Sequence, residues 1–381
     1  MTFLLNFAPH FGQQIQFAGY KQLSCKRRSL TNMKKASLHN RVDREVLKKQ
    51  LLESTEPRTT ISFYKYHHIA DPQTFRNELY LTLDKIGTKG RIYVATEGVN
   101  AQISIPTAQA DLFKKTLYAI PFLNGIRLNY AVDDDGKSFY KLIIKVRPKI
   151  VADGLDDSSF DPADTGVHLN AEEFNRLTDD PDTILVDMRN HYESEVGYFK
   201  GAILPEVETF REELDLVEDM LKGNEGKNLV MYCTGGIRCE KASAWFKHKG
   251  FKNVFQLDGG IIQYARQARE KNLPNKFIGV NFVFDERLGE RISEDIVATC
   301  HQCGTPCDAH KNCANDACHL LFIQCPNCEA SFESCCSEKC RGFTHLPKEE
   351  QLILRKTAEF NGTRFGKGRY KAHHNTEGLL K

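Results

Sequence analysis

The stretch LVMYCTGGIRCEKASAWFKHKG, residues 229–250, sets a thiol in a tight turn. An apolar run ends at Cys233. Thr234, Gly235, Gly236, Ile237 and Arg238 follow it, and after Cys239 the pattern is helical. A short glycine-rich turn lets successive backbone N–H groups curl around one point, and the following helix adds the positive end of its dipole. With the charge of Arg238, this is an environment for an anionic sulfur, either a thiolate or a persulfide. Lowering a thiol pKa by roughly two units takes only about 2.7 kcal/mol of preferential stabilisation. Cys239, at the helix start, is read either as a resolving thiol or as a packing residue.

A second set of cysteines differs in number and spacing. Cys300, Cys303, Cys307, Cys313, Cys318, Cys325, Cys328, Cys335, Cys336 and Cys340 crowd into one short segment. The pairs Cys300/Cys303 and Cys325/Cys328 have the C-x2-C spacing of zinc knuckles, and His301, His310 and His319 are further candidate ligands. So short a segment lacks the apolar residues for a large core, so bound metal would supply folding free energy. Structural zinc is the favoured reading, with free thiols and an iron–sulfur cluster as alternatives. Spacing does not say which cysteines share an ion.

Strand and helix patterns alternate around Cys233. TILVDMR, NLVMYC and NVFQLDGG read as strands with little polar interruption; AEEFNRLTDD, FREELDLVEDMLKG, EKASAWFKHKG and IIQYARQAREKN read as helices. This pattern predicts a parallel α/β domain over 167–275, and ligands of such sheets sit at the carboxyl ends of strands, where Cys233 lies. Upstream, residues 57–152 show a β-α-β-β-α-β order, which predicts a ferredoxin-like α+β domain. Its last strand, within YKLIIKVRPK, places Lys141, Lys145, Arg147 and Lys149 at alternate positions, as a solvated face or a phosphate-contacting stripe. The acidic, turn-rich stretch 153–166 reads as a linker, 276–345 as a small Cys-rich, metal-ribbon-like domain and 346–381 as a basic tail. Within the tail, FGKGRYKAHH carries Lys367, Arg369 and Lys371 among aromatics, as a solubilising tail or an RNA-contacting arm.

The bulk numbers are ordinary. The chain has 381 residues, 41% hydrophobic and 27% charged, with a net charge of +2, so a nucleic-acid surface must be a local patch. No apolar run is long enough to span a membrane, and no secretory signal is visible, which points to a reducing, cytoplasmic setting and to cysteines serving as ligands or redox groups. Residues 1–42 contain seven Lys or Arg and no acid, a basic extension that fits a targeting segment, a disordered arm or an untranslated stretch ahead of Met33. HYESE (191–195) reads as an exposed polar turn. No dinucleotide-binding fingerprint is present.

Three strings extend this reading by resemblance. VDMRNHYESEVGYFKGAI, YCTGGIRC and LDGGI resemble the signatures of a rhodanese domain, whose loop cysteine carries sulfur as a persulfide. Related phosphatases place arginine six positions after the cysteine; here that position is Cys239, which argues against phosphate-ester hydrolysis. With LHNRV, EPRTTISFYKY, EGVNAQIS, DDDGKSF, IVADG, NFVFDERLGERIS and HLLFIQCP, the chain from about Ser37 onward resembles the rhodanese-domain tRNA uridine(34) hydroxylases. That resemblance implies an oxidoreductase that uses molecular oxygen to convert the wobble uridine of the tRNA anticodon to 5-hydroxyuridine, with Cys233 as the active-site cysteine. Two other readings remain: a sulfurtransferase carrying a persulfide on Cys233, and a non-catalytic RNA-binding or redox-sensing module using Cys233 and Cys239.

Overall fold

The N-terminal elements follow the pattern that alternating apolar residues demand. In the computed structural model, which describes residues 38, 40, 42–156, 160–362 and 370, α1 (Arg44–Glu53) precedes β1 (Arg58–Tyr66), α2 (Pro72–Lys85), β2 (Lys89–Ala95), β3 (Gly98–Pro106), α3 (Ala110–Tyr118), β4 (Asn129–Tyr130) and β5 (Leu142–Val146). Asp71 caps α2 by accepting from the N–H groups of Gln73 and Thr74, and Pro72 occupies its first turn. The strands form one sheet in the order β4-β1-β3-β2-β5. Ile61, Phe63, Ile92, Val94, Ala101 and Ile103 fill its core with Leu79, Leu83 and Phe113 of the two long helices. The expected last strand departs from the simple ferredoxin-like plan. The two-residue β4 takes the place beside β1, and β5 crosses to pair parallel with the opposite edge at β2.

Three further calls in this region are corrected. β5 ends at Val146, so Arg147 and Lys149 lie beyond the strand and do not continue one strand face with Lys141 and Lys145. Lys149 donates to Asp153 (2.5 Å) and to the Leu155 carbonyl (2.6 Å), whereas Lys145 and Arg147 are exposed. The acidic stretch after Val151 is no free linker: Asp153 is buried between Lys149 and Lys241, and Leu155 and Phe160 pack on the next core. A carboxylate flanked by two ammonium groups keeps its charge when buried, and burial draws the chain around it inward.

The α/β unit comprises β6 (Val167–Leu169), α4 (Ala171–Leu177), β7 (Thr183–Asp187), α5 (His191–Ser194), β8 (Gly197–Phe199), α6 (Phe210–Leu221), β9 (Asn228–Tyr232), α7 (Ile237–His248), β10 (Asn253–Leu257) and α8 (Gly260–Lys271). Four of its strands form a parallel sheet, β6-β10-β9-β7. Apolar clusters cover both faces, as the uninterrupted strands require.

The last part contains β11 (Phe277–Asn281), β12 (Glu290–Arg291), β13 (His310–Asn312), β14 (Leu321–Ile323), α9 (Pro326–Phe332), α10 (Glu338–Thr344) and α11 (Lys348–Leu354). β11 pairs antiparallel with β8 of the α/β unit, so this part is stitched to it by main-chain hydrogen bonds. The expected basic tail begins with a helix, α11, whose Leu352 and Ile353 are exposed. Lys367, Arg369 and Lys371, and the basic extension up to Ser37, lie outside the described residues.

Candidate active site

Cys233 follows the end of β9 and is fully buried. The turn to α7 is made by Gly236, whose φ of +97° is a left-handed conformation that disfavours any residue with a Cβ. This turn aims the Gly236 N–H at the Cys233 Sγ (3.1 Å). The LDGGI turn braces the loop from behind: the N–H of Ile261 donates to the Cys233 carbonyl (3.0 Å) and that of Ile262 to the Thr234 carbonyl (3.2 Å). Gly260 passes so close that a Cβ there would come within 2.4 Å of the Cys233 carbonyl oxygen.

Burial pushes the Cys233 thiol up, but a hydrogen bond from the Cys239 thiol, the charge of Arg238 and the N–H groups of Cys239 and Arg238 pull it down to about 6. Cys239 moves the other way: its burial and the neighbouring Cys233 sulfur hold it well above the ordinary range, so it stays a thiol and donates. The two sulfurs therefore have different protonation states.

Arg238 does not stand alone as the sequence suggested. Glu193 meets it in a two-pronged pair at 2.7 and 2.8 Å, both side chains buried. HYESE is accordingly not an exposed turn: Tyr192, Glu193 and Ser194 are buried, because a guanidinium withdrawn from water needs a carboxylate partner. His191 directs Nδ1 to the Val207 carbonyl (3.0 Å). Glu213 on α6 is also buried, both oxygens without a hydrogen-bond partner, and burial pushes its pKa well above the usual carboxylate range.

Cys233, Thr234, Gly235, Ile237 and Arg238 line a cavity of about 450 Å³. The wall facing the loop belongs to the N-terminal sheet and includes Tyr64, Tyr93 and Asn129; Phe284 and Arg287 close another side. Tyr64 reaches across to α7, its hydroxyl donating to Glu240 (2.8 Å), and Lys241 on the same helix pairs with Glu97 (2.8 Å). Glu193, Tyr64, Asn129 and Arg287 were missed by sequence reasoning, since nothing local marks residues that only tertiary packing brings to the loop. The strings EPRTTISFYKY, VDMRNHYESEVGYFKGAI and NFVFDERLGERIS, which hold Tyr64, Glu193 and Arg287, were the available signal; Asn129 had none.

The cysteine field resolves into two groups of four sulfurs, Cys300/Cys303/Cys325/Cys328 and Cys313/Cys318/Cys336/Cys340, each with all sulfurs within 4.8 Å of one another. Cys303 and Cys325 are 3.6 Å apart, and Cys318 and Cys336 3.7 Å. A tetrahedral ion with sulfur ligands at ~2.3 Å sets its sulfurs roughly 3.8 Å apart, so both groups suit a metal. N–H groups of Cys325, Cys336 and Gly362 point at Cys300, Cys313 and Cys318 sulfurs at 3.3, 3.4 and 3.4 Å, as thiolates favour. Cys307 and Cys335 fall outside both groups. So do the histidines: His301 bonds Glu195 (2.8 Å), His319 faces Asp316 (3.5 Å) and His310 packs against Phe282. None of the ten cysteines lines the Cys233 cavity.

The fold and this loop define a rhodanese-like protein with two flanking domains. Family comparison matches residues 170–267 to the rhodanese-like domain, 58–150 to the UPF0176 acylphosphatase like domain and 278–341 to the rhodanase C-terminal domain. The chain is 57% identical over 335 residues to a tRNA uridine(34) hydroxylase of Photorhabdus laumondii, covering 88% of this chain and 95% of that one. A protein of the same name from Yersinia pestis is 60% identical over 345 residues, covering 90% and 95%. The chain belongs to the tRNA uridine(34) hydroxylase family.

Proposed function

We propose that this protein hydroxylates C5 of uridine 34 in tRNA, with molecular oxygen as co-substrate and Cys233 as the nucleophile. Its relatives' name supplies the reaction; the observation that carries the role of Cys233 is a thiol lowered to about 6 at the wall of a cavity of about 450 Å³. A base taken out of the anticodon stack would enter that cavity. The Cys233 thiolate adds to C6 of the uracil, forming a C–S bond and moving the C5=C6 electron pair into an enolate at C5. Dioxygen adds at C5. A thiol reductant supplies two electrons that cleave the O–O bond, giving water and a C5 hydroxyl. Loss of the C5 proton then expels the thiolate and restores the double bond.

Asn129 supports recognition of the base. Its Oδ1 is buried and has no hydrogen-bond partner, and a primary amide offers both the donor and the acceptor that the N3–H and carbonyls of uracil need. Arg238, itself held by Glu193, and the N–H group of Gly236 hold the thiolate. Lys145 and Arg147 are exposed for phosphate contact, while Lys149 is engaged by Asp153. The N-terminal domain (57–152) and the Cys-rich domain (276–345) would grip the tRNA.

The two cysteine tetrads suit structural zinc: four thiolates close a tetrahedral site and leave no open position for substrate. Among the described residues no helix is long and apolar enough to cross a membrane. A tRNA substrate supports the reading of a cytoplasmic enzyme.

Nucleoside mass spectrometry of total tRNA tests this reading in a deletion strain, the strain rescued by wild type and the strain rescued by Cys233→Ser, with any parallel route disabled. 5-Hydroxyuridine should vanish on deletion and return only with wild type. Unchanged 5-hydroxyuridine together with a lost thiolated nucleoside would install the sulfurtransferase reading instead.

A further inference from the structure

The N-terminal sheet has two faces of opposite character. Ile61 and Phe63, Ile92 and Val94, and Ala101 and Ile103 face the helices. The alternate residues of the same strands, Ser62, Tyr64, Arg91, Tyr93, Asn100 and Gln102, all line the cavity that holds Cys233. Register arranges them in rows across the strands. Tyr64 lies opposite Asn100, Asn100 opposite Tyr93, and Tyr93 opposite Lys145; beside this row, Ser62, Gln102 and Arg91 run in parallel.

The first row starts at the reactive loop, where Tyr64 bonds Glu240, and ends at exposed Lys145. Three strand spacings give it a length of roughly 14 Å, more than a single base spans. Tyr93 in its middle is half-buried, and its hydroxyl has no hydrogen-bond partner among the described residues. The guanidinium of Arg147 stands 5.8 Å from the Tyr93 ring centroid. Amides, an aromatic ring with the Arg147 guanidinium over it and further cations thus form a continuous strip leading out of the cavity. An open sheet face of this kind suits single-stranded RNA, whose bases stack on aromatic rings while cations take the phosphates.

We infer that this strip holds a nucleotide adjoining uridine 34, its base stacked on Tyr93 and its phosphate met by Arg91, Lys145 or Arg147. The inference rests on the reading that uridine 34 of tRNA is the substrate. It makes the sheet a second binding site, one that anchors the single strand while the target base reaches Cys233.

The test uses the full-length protein and an anticodon stem-loop RNA, with binding and hydroxylation measured separately. Tyr93→Ala should weaken binding by roughly 5- to 100-fold, the range for one lost base stack, and Tyr93→Phe should stay within about twofold of wild type. Removing the base of a nucleotide next to uridine 34 should cost wild type a similar factor and cost Tyr93→Ala little more. That RNA arm leaves the protein untouched, so it stands even if Tyr93→Ala misfolds. Wild-type affinity in Tyr93→Ala, or abasic losses seen only at positions remote from uridine 34, would overturn the strip. Tyr93-dependent binding without any 5-hydroxyuridine would strike the proposed reaction and leave the strip standing.

Discussion

The loop at Cys233 and the C-terminal cysteine field use the same side chain in opposite ways. At Cys233 a single sulfur is favoured as an anion by backbone N–H groups, a neighbouring thiol and the charge of Arg238, and the residue lines a cavity. In the tetrads each sulfur is surrounded by three others, so metal binding would saturate it and leave nothing to react. What separates the two settings is what surrounds the sulfur: N–H groups, a thiol donor and an arginine at Cys233, other sulfurs in the tetrads.

The largest effect that would sharpen this contrast is expected from Cys233→Ser. It should cut hydroxylation by at least ~10³-fold while metal content and melting temperature stay at wild-type values. A variant that loses metal with its activity would erase the distinction. Next, Cys318→Ala should remove about one metal equivalent, measured by elemental analysis, and expose the C-terminal segment to protease, because the bound ion contributes folding free energy. Alkylation of Cys233 should keep its pH dependence in that variant.

Arg238→Gln should act on the loop alone. It leaves Glu193 buried without its partner, a loss of ~3–5 kcal/mol in chemical denaturation. It should also raise the Cys233 pKa, because the guanidinium charge that favours the thiolate is gone. The thiolate is the reactive form, so the wild-type alkylation rate should climb as pH rises through about 6 and then level off. In Arg238→Gln the same curve should shift to higher pH, and an unshifted curve would remove Arg238 from the account. The smallest effect is expected from Cys307→Ser and Cys335→Ser, which lie outside both tetrads and should leave metal stoichiometry unchanged.

Much of the site was legible because it is local. The order strand, Cys233, glycine pair, helix places a sulfur against N–H groups whatever the rest of the chain does. The C-x2-C pairs belong together because two residues of spacing bring two sulfurs to one point. The non-local parts were not legible. Glu193 lies 45 residues from Arg238, and reading HYESE alone as a polar turn missed that it is buried as that arginine's counter-charge. The crossing of β5 to the far edge of its sheet was equally hidden, since its alternating apolar residues fit either edge.

Sequence by itself determined the parallel α/β unit, and it set the expectations of an anionic sulfur in the Cys233 turn and of metal ligation by the cysteine field. These follow from residue types at short spacing, where backbone geometry leaves few outcomes. Only the tertiary structure decided which cysteines form each tetrad, that Arg238 is neutralised by Glu193, and that an aromatic and cationic sheet face walls the cavity. Those depend on which buried charges find partners and which strand faces are turned toward the loop. Burial and pairing are settled between segments far apart in the chain, when the whole core closes.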